Sequence, residues 1–222
     1  MRRQEATIPG KRNLKNDAAT AFEPELKSLA ELNRIIQASE PLVPGADHAV
    51  LGEGPVGAGI AFVGEQPGDQ EDLQGRPFVG PAGQLLDGVL EKVGIDRSDV
   101  YVTNAVKHFK FERRGKRRIH QKPTTGEVKR YRWWLMKELE FVRPQIVVAL
   151  GATATLALAG EALSISQNRG ETMFGEFPGF ITVHPSFLLR VPDEDAKARE
   201  YEAFVADMKK VRKLAKAQKR AA

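Results

Sequence analysis

Ile60-Ala61-Phe62-Val63-Gly64 is an apolar run that ends on a glycine and leads directly into the polar segment Glu65-Gln66-Pro67-Gly68-Asp69. A short apolar run bounded by turn residues is typical of a strand that is buried on both faces of a parallel sheet. The sequence therefore predicts a first strand over residues 60–64, and the polar residues that follow it are candidates for a ligand site.

Further apolar runs and helical patterns surround this strand. The other predicted strands are Val100-Tyr101-Val102-Thr103, Ile146-Val147-Val148-Ala149-Leu150 and Phe180-Ile181-Thr182-Val183. Helices are predicted over residues 26–36, 82–93, 127–142 and 195–216, and another begins near Gly151. This alternation predicts an α/β fold with three α/β/α layers and a mainly parallel, four-stranded central sheet. We expect a basic N-terminal extension over residues 1–22, one domain over residues 23–206 and a basic helix end over residues 207–222.

Composition limits the class of protein. The chain has 222 residues, a formal net charge of +5 and no cysteine. Charged residues make up 28% and hydrophobic residues 41%, which is the composition of a globular domain and not of a disordered or collagen-like chain. No apolar stretch approaches the roughly 18 residues of a membrane span, so we expect a cytoplasmic protein with no membrane partner. The absence of cysteine excludes disulfides, cysteine nucleophiles, thiolate-bound zinc and all-thiolate iron–sulfur clusters.

Basic residues are concentrated in one segment. Between Lys107 and Lys122, eight basic residues stand against the single acid Glu112, so the local net charge is +7. Such a concentration is typical of a surface that contacts the phosphate backbone of a nucleic acid. A second basic run, from Lys209 to Arg220, lies on the predicted C-terminal helix, where a solvated helix face is the simpler interpretation.

Polar side chains follow three of the predicted strands at the point where each strand ends. Glu65 follows the first strand, Asn104 follows the second, and His184-Pro185-Ser186 follows the fourth. Ligand sites in open parallel sheets form outside the carboxyl ends of the strands, so these groups and the basic segment should meet at one edge. A carboxylate, an amide, a histidine and a cationic loop predict a site that binds an anionic polymer and carries out chemistry at its rim.

Each candidate also has a structural interpretation. By position alone Glu65 is equally well explained as a solvated loop acid, and a lone histidine such as His184 is more often a structural hydrogen-bonding residue. Phe78 lies in a loop rich in Gly and Pro, which favours a stacking platform over a core position. The segment Gly151-Ala152-Thr153 is best explained as a strand-to-helix turn. His120 ends a run of cations that disfavour a charged imidazolium, which makes it a candidate nucleophile, with phosphate contact as the alternative.

Six segments together resemble the uracil-DNA glycosylase superfamily and, within it, the UdgX branch. The similarity covers residues 51–201, and the run at residues 116–120 is the discriminating feature because ordinary family-four glycosylases lack it. The resemblance implies a uracil-DNA glycosylase, an enzyme that flips uracil out of DNA and excises it. The segments are Gly64-Glu65-Gln66-Pro67-Gly68-Asp69-Gln70-Glu71-Asp72, Gly75-Arg76-Pro77-Phe78-Val79-Gly80-Pro81-Ala82-Gly83, Tyr101-Val102-Thr103-Asn104-Ala105-Val106-Lys107-His108-Phe109-Lys110, Lys116-Arg117-Arg118-Ile119-His120, Leu150-Gly151-Ala152-Thr153-Ala154 and His184-Pro185-Ser186.

The resemblance implies which residues bind the base. Phe78 would stack on the uracil ring, and the Asn104 amide would hydrogen-bond the edge of the base and disfavour cytosine. Gly64 and Gln66 would hold the base and the loop around it. The implied partner is uracil-containing DNA, for which we expect a preference for the single-stranded form, and the released product is uracil.

The resemblance also implies the chemistry. His184 would donate a hydrogen bond to the departing uracil, and Glu65 would stabilise the cationic sugar or orient the attacking group. In the UdgX branch the attacker is a loop histidine, here His120, which stays covalently bound to the abasic sugar. The residues expected to contact DNA are Lys116, Arg117, Arg118, Ser186 and Arg190.

Members of this branch usually hold an iron–sulfur cluster on cysteines and one histidine, which here would be His108. Tyr131 occupies one of the cysteine positions, and residues near Gln37 and Glu40 replace the N-terminal pair. Because the chain has no cysteine, we predict that it carries no metal and no cofactor.

Three functions remain open at this point. The first is a uracil-DNA glycosylase that captures its abasic product on His120. The second is a conventional multi-turnover glycosylase in which Glu65 orients water. The third is a non-catalytic module that recognises uracil or abasic sites in DNA.

Overall fold

Seven strands form two sheets in the computed structural model, which describes residues 26–221. The strands are β1 (Ile60–Gly64), β2 (Val100–Asn104), β3 (Phe111–Arg114), β4 (Arg117–His120), β5 (Ile146–Leu150), β6 (Gly170–Phe174) and β7 (Phe177–Thr182). The central sheet has the order β2-β1-β5-β7-β6, and β3 and β4 form a separate antiparallel hairpin. All pairings in the central sheet are parallel except that of the edge strand β6 with β7.

Helices cover both faces of the central sheet. They are α1 (Leu29–Gln37), α2 (Asp69–Gln74), α3 (Pro81–Lys92), α4 (Thr125–Val142), α5 (Ala152–Ala159), α6 (Ile165–Asn168), α7 (Pro185–Leu188) and α8 (Glu194–Ala221), with a 3-10 turn at Arg97–Asp99. Side chains of α3 and α8 pack in the apolar core on one face, and those of α4 and α5 pack in the core on the other. The predicted three-layer α/β/α fold is therefore confirmed. Within the described residues, no helix has the length and apolar content to cross a membrane.

The predicted number of four central strands is wrong, because β6 adds a fifth. Its sequence, Gly170-Glu171-Thr172-Met173-Phe174, lies at the edge of the sheet, and only Phe174 is fully buried. An edge strand needs few apolar residues, so it lacks the run that marks the buried strands. The hairpin of β3 and β4 escaped the sequence analysis for a related reason: it is mostly basic and exposed, and its two-residue turn begins at Gly115 with a φ of 62°.

The C-terminal helix extends the domain past its predicted end at residue 206. Helix α8 is continuous from residue 194 to residue 221, and its side chains Met208 and Val211 are fully buried in the core. The first part of the predicted basic helix end is thus part of the domain. The predicted extension over residues 1–22 lies outside the described residues.

The sheet brings the candidate residues to one edge. Gly64 pairs with Asn104, and Leu150 pairs with Thr182, so strands β1, β2, β5 and β7 end side by side. The residues that follow them, including Glu65 and His184, lie at this shared carboxyl edge.

Candidate active site

A cavity of about 930 Å³ opens at the carboxyl edge of the central sheet. Its walls include five of the side chains that the sequence singles out: Glu65, Phe78, Asn104, His120 and His184. These residues come from five separate segments of the chain. The predicted convergence of a carboxylate, an amide and histidines is therefore present in the fold.

Glu65 bridges the hairpin and the sheet. Its Oε1 atom lies 3.2 Å from Nε2 of His120, the last residue of β4. Its Oε2 atom accepts a short hydrogen bond from the hydroxyl of Thr153. Burial raises the pKa of Glu65, but the hydrogen bonds from His120 and Thr153 outweigh burial and bring that pKa below its ordinary value of 4.5. The group is therefore a fixed, ionised carboxylate at neutral pH, in contact with the candidate nucleophile.

Thr153 is a site residue that the sequence analysis missed. The segment around Gly151 is the tight turn that was expected, with a Gly151 φ of 85°. The turn also places Thr153, the second residue of α5, against Glu65 with only 3% of its surface exposed. The sequence offered one sign of this role: Thr153 is a hydroxyl residue that lies three positions after the end of the central strand β5.

His184 is held as a neutral hydrogen-bond donor. Its Nδ1 atom accepts from the backbone N–H of Ser186 at 3.2 Å and lies 2.8 Å from the Ser186 hydroxyl. A backbone N–H can only donate, so Nδ1 carries no proton and the proton of the neutral ring is on Nε2. Burial lowers the pKa of His184 from 6.5 to about 4, although the Glu65 carboxylate opposes that shift. Ser186, predicted to contact DNA, thus orients His184.

Phe78 and Asn104 meet over Gly64. A Cβ atom on Gly64 would lie 2.7 Å from Cζ of Phe78 and would also overlap the amide oxygen of Asn104. Phe78 has a φ of 58°, which is uncommon for a residue with a bulky side chain. The Phe78 ring is only 6% exposed and belongs to the apolar core as well as to the cavity wall, so the expectation of a platform in place of a core position is met only in part. An aromatic ring and an amide at the same cavity wall can stack on a base and hydrogen-bond its edge. Gly64 supplies the space for this pair.

Comparison with known proteins assigns the chain to a family. The family model described as the Uracil DNA glycosylase superfamily matches residues 51–209. The chain belongs to the uracil-DNA glycosylase superfamily. Membership confirms the predicted superfamily and the predicted enzyme class, a DNA N-glycosylase.

Several relatives are similar over most of the domain. The type-4 uracil-DNA glycosylase of Thermotoga maritima is 40% identical over 153 residues, which cover 68% of this chain and 76% of the relative. The type-4 uracil-DNA glycosylase of Pyrobaculum aerophilum is 35% identical over 175 residues, which cover 74% of this chain and 86% of the relative. A DNA polymerase of Bacillus phage SP01 is 32% identical over 145 residues, 64% of this chain but only 15% of the polymerase.

Gln66 fastens the hairpin of this uracil-DNA glycosylase superfamily member to its sheet. The side-chain Nε2 donates to the carbonyl oxygens of Lys110 and Gln121, both at 3.1 Å, and Oε1 accepts from the Lys110 N–H at 3.2 Å. Lys110 precedes β3, and Gln121 directly follows His120. Of the two roles predicted for Gln66, the side chain therefore has that of holding the loop, and binding of the base stays a prediction.

Arg118 differs most from its predicted role. Its guanidinium bonds to three carboxylates: Asp69 at 2.7 Å, Asp72 at 2.6 Å and Asp47 at 3.1 Å. The side chain is only 10% exposed. These carboxylates neutralise and enclose the charge of Arg118, which argues against the predicted contact with DNA phosphates. Arg118 instead anchors β4, the strand that carries His120.

The other residues predicted to contact DNA remain on the surface. Lys116 and Arg117 are exposed at the tip of the hairpin, and Arg190 is exposed at the rim of the cavity. Their positions are compatible with phosphate contact on the cavity side of the domain.

The region that holds an iron–sulfur cluster in the resembled branch has different chemistry in this glycosylase superfamily member. Nδ1 of His108 lies 2.7 Å from the Tyr131 hydroxyl, and the Tyr131 ring meets Trp134 edge to face at 5.1 Å. Burial lowers the pKa of His108 and raises that of Tyr131 to about 12. Such clusters require thiolate ligands, and the chain has no cysteine. These residues do not fit an iron–sulfur cluster.

Proposed function

We propose that this protein excises uracil from DNA and that His120 then captures the abasic sugar covalently. The 3.2 Å contact between Nε2 of His120 and Oε1 of Glu65, at the wall of the cavity, carries this proposal. The resemblance of residues 116–120 to the UdgX branch supports it. Excision itself is also supported by the type-4 uracil-DNA glycosylases among the relatives.

A flipped uracil would enter the cavity between Phe78 and Asn104. The Phe78 ring would stack on the base, and the Asn104 amide would hydrogen-bond the edge that distinguishes uracil from cytosine. The Nε2–H of His184 would donate to a uracil carbonyl oxygen. That donor strengthens as the bond between the base nitrogen N1 and the sugar carbon C1′ breaks, because the electron pair of the bond moves onto uracil.

Covalent capture follows from the contact of His120 with Glu65. From a His120 ring that is protonated on both nitrogens, the Glu65 carboxylate would take the Nε2 proton, which leaves a neutral ring with Nδ1–H in place and a free lone pair on Nε2. Nε2 would then bond to C1′ as the bond from C1′ to N1 breaks, and uracil would leave as an anion. The proton passes from Glu65 to the departing uracil, so the products are free neutral uracil and a protein joined to the abasic sugar.

The rest of the surface suits a negatively charged strand. Lys116 and Arg117 on the hairpin, with Arg190 at the rim, would contact phosphates on either side of the flipped nucleotide. A single strand would reach this cavity without the cost of opening a base pair, which supports a preference for single-stranded DNA.

The second candidate is hydrolytic excision. A water molecule bound by the Glu65 carboxylate would replace His120 as nucleophile, and the protein would then turn over repeatedly. The relatives named type-4 uracil-DNA glycosylases favour this alternative. The two reactions differ in their products, because only capture leaves an adduct.

We also propose that the domain folds and acts without an iron–sulfur cluster. The His108–Tyr131 hydrogen bond and the packing of Tyr131 on Trp134 would stabilise the region that a cluster supports in related proteins. Metal analysis of the purified protein tests this statement. Iron in a stoichiometric amount would contradict it.

Mass spectrometry tests capture at the level of the residue. The protein is incubated with a uracil-containing oligonucleotide, digested with protease and nuclease, and searched for a peptide that carries an abasic sugar. We expect the modification on His120. A modified peptide that lacks His120 would contradict the assignment, and free abasic DNA with no modified peptide would establish the hydrolytic alternative.

A further inference from the structure

Glu71 connects the two loops that carry Glu65 and Phe78. It is the third residue of α2 and is 9% exposed. Its Oε2 atom accepts from the Gly68 N–H at 3.0 Å, and its Oε1 atom accepts from the Gly80 N–H at 3.1 Å. One carboxylate thus holds two backbone segments that are twelve residues apart in sequence.

Helix capping explains only one of these bonds. The contact with Gly68 is the local one of a capping box, in which the third residue of a helix reaches back to the residue before the helix. The contact with Gly80 is not local, since it crosses to the residue that precedes α3. A residue that served α2 alone would not need this second bond.

The glycines at both contacts support a specific role for the carboxylate. Gly68 and Gly80 have φ values of −90° and −82°, which residues with side chains adopt freely, so the backbone does not require glycine there. A Cβ atom would instead lie 2.5 Å from Oε2 at Gly68 and 3.0 Å from Oε1 at Gly80. The Glu71 carboxylate therefore occupies the space of a side chain at Gly68 and would lie tight against one at Gly80.

Each of the two loops carries a group that lines the cavity. Gly68 lies three residues after Glu65, and Gly80 lies two residues after Phe78. Glu65, Phe78 and Glu71 all line the same cavity. Phe78 also keeps a left-handed backbone, with a φ of 58°, that persists only where the surrounding structure enforces it.

We propose that Glu71 is a positioning residue that sets the distance between the base-stacking ring of Phe78 and the reacting carboxylate of Glu65. The inference rests on the proposed uracil excision and deepens it. A charge-assisted hydrogen bond from each loop to Glu71 keeps the base that stacks on Phe78 at a fixed distance from the Glu65 carboxylate. Loss of this link leaves both side chains in place but lets the loops move independently of each other.

The test is a double-mutant cycle between Glu71→Ala and Gly68→Ala. The alanine at position 68 displaces the same carboxylate that Glu71→Ala removes, so each single variant should slow uracil release about tenfold to a hundredfold under single-turnover conditions. The double variant should be no slower than the slower single variant. Losses that multiply in the double variant, or a Glu71→Ala protein with the wild-type rate, would overturn the inference.

Two further measurements separate positioning from stability. All rates are measured below the unfolding temperature of every variant, with Glu91→Gln as the exposed glutamate control. The affinity for the same DNA with thymine in place of uracil should not change. The fluorescence of 2-aminopurine placed beside the uracil, which rises when the neighbouring base is flipped, should fall in the variants; a merely structural residue would leave it at the wild-type level.

The design keeps failure of the inference distinct from failure of the proposed function. A wild-type protein that releases no uracil contradicts the proposed function, and the fluorescence cycle then still decides whether Glu71 positions the base. If Glu71→Ala does not fold, Glu71→Gln replaces it, because the amide nitrogen of glutamine cannot accept the N–H that the replaced carboxylate oxygen accepts from Gly68 or Gly80. A folded Glu71→Gln protein with wild-type release and fluorescence would overturn the inference.

Discussion

Nε2 of His120 and Oε1 of Glu65 lie 3.2 Å apart where the basic hairpin meets the central sheet. The contact joins the last residue of β4 to the residue that follows β1. A carboxylate at this distance can accept the Nε2 proton of a charged imidazolium, and this step leaves a neutral ring whose Nε2 lone pair can attack carbon. The relationship also explains why the hairpin is fastened so firmly by Gln66 and Arg118.

Replacement of Glu65 should remove the chemistry and leave the fold. In Glu65→Gln the amide keeps the shape of the side chain but cannot accept a proton from His120. We expect the rate of uracil release to fall about 100-fold or more and the adduct to disappear. Single-turnover assays check this, with circular dichroism as the control for folding. An adduct that forms at the wild-type rate would show that Glu65 is not the base.

Thr153 should set the pH dependence through Glu65. Its hydroxyl donates to the carboxylate and helps to lower the pKa of Glu65. In Thr153→Val that stabilisation of the charged form is lost, so the pKa of Glu65 rises and the rate begins to fall at a higher pH as the solution is acidified. The rate is measured from pH 8 downwards at intervals of about one pH unit. A shift of the Glu65 pKa by one unit corresponds to a change of about 1.4 kcal/mol in the free energy that separates its charged and neutral forms.

Thr155→Val is the matched control for that experiment. The Thr155 hydroxyl donates to the carbonyl oxygen of Gly151 and makes no bond to Glu65. We expect its acid limb to coincide with that of the wild type. If Thr153→Val also coincides with the wild type, the hydrogen bond to Glu65 has no effect on catalysis.

Neighbouring arginines on β4 should have opposite effects. Arg118→Ala breaks the bonds to Asp69 and Asp72 and frees the hairpin, so adduct formation should fall while the salt dependence of DNA binding stays close to that of the wild type. Arg117→Ala removes an exposed cation, so binding should weaken and the slope of log K against log salt should fall by about 1. Binding titrations at several salt concentrations, beside adduct assays, distinguish the two. Reversed effects would contradict the anchoring role of Arg118.

Tyr131 should contribute to stability and not to chemistry. Tyr131→Phe leaves Nδ1 of the buried His108 without its hydroxyl partner, which should lower the free energy of unfolding by about 1–3 kcal/mol. Chemical denaturation measures this loss. Tyr201→Phe is the control, because it also removes a tyrosine hydroxyl but keeps the ring that packs under Lys92. Excision by folded Tyr131→Phe should match the wild type. A rate loss without a stability loss would place Tyr131 in the reaction.

The sequence predicts the buried part of this fold well and the exposed part poorly. The four strands that are apolar runs are all present, because burial on both faces demands such runs. The edge strand β6 and the hairpin are nearly invisible to the same reasoning, since their solvent-facing side chains are free to be polar. Gly115 was the one local sign of the hairpin turn.

The count of basic residues in segment 107–122 also overstated the positive charge that is available to bind DNA. Lys107 belongs to the basic segment by sequence, yet it is fully buried against Glu138, with Nζ and Oε2 2.5 Å apart. Lys110 pairs with Glu127 at 2.8 Å, and Arg118 is enclosed by aspartates. Three of the eight cations are thus neutralised by partners far away in sequence, which composition alone does not reveal. The residues at strand ends were predictable because topology alone brings them together.

The central claim is covalent capture by His120, and one gel tests it most directly. The protein is mixed with a labelled single-stranded oligonucleotide that contains one uracil, denatured in hot detergent and run beside His120→Ala. A band shifted by the mass of the protein in the wild-type lane, and its absence in the variant lane, is the predicted result. Released uracil and unshifted abasic DNA in both lanes would contradict capture and establish hydrolysis, and intact uracil-containing DNA in both lanes would contradict excision as well.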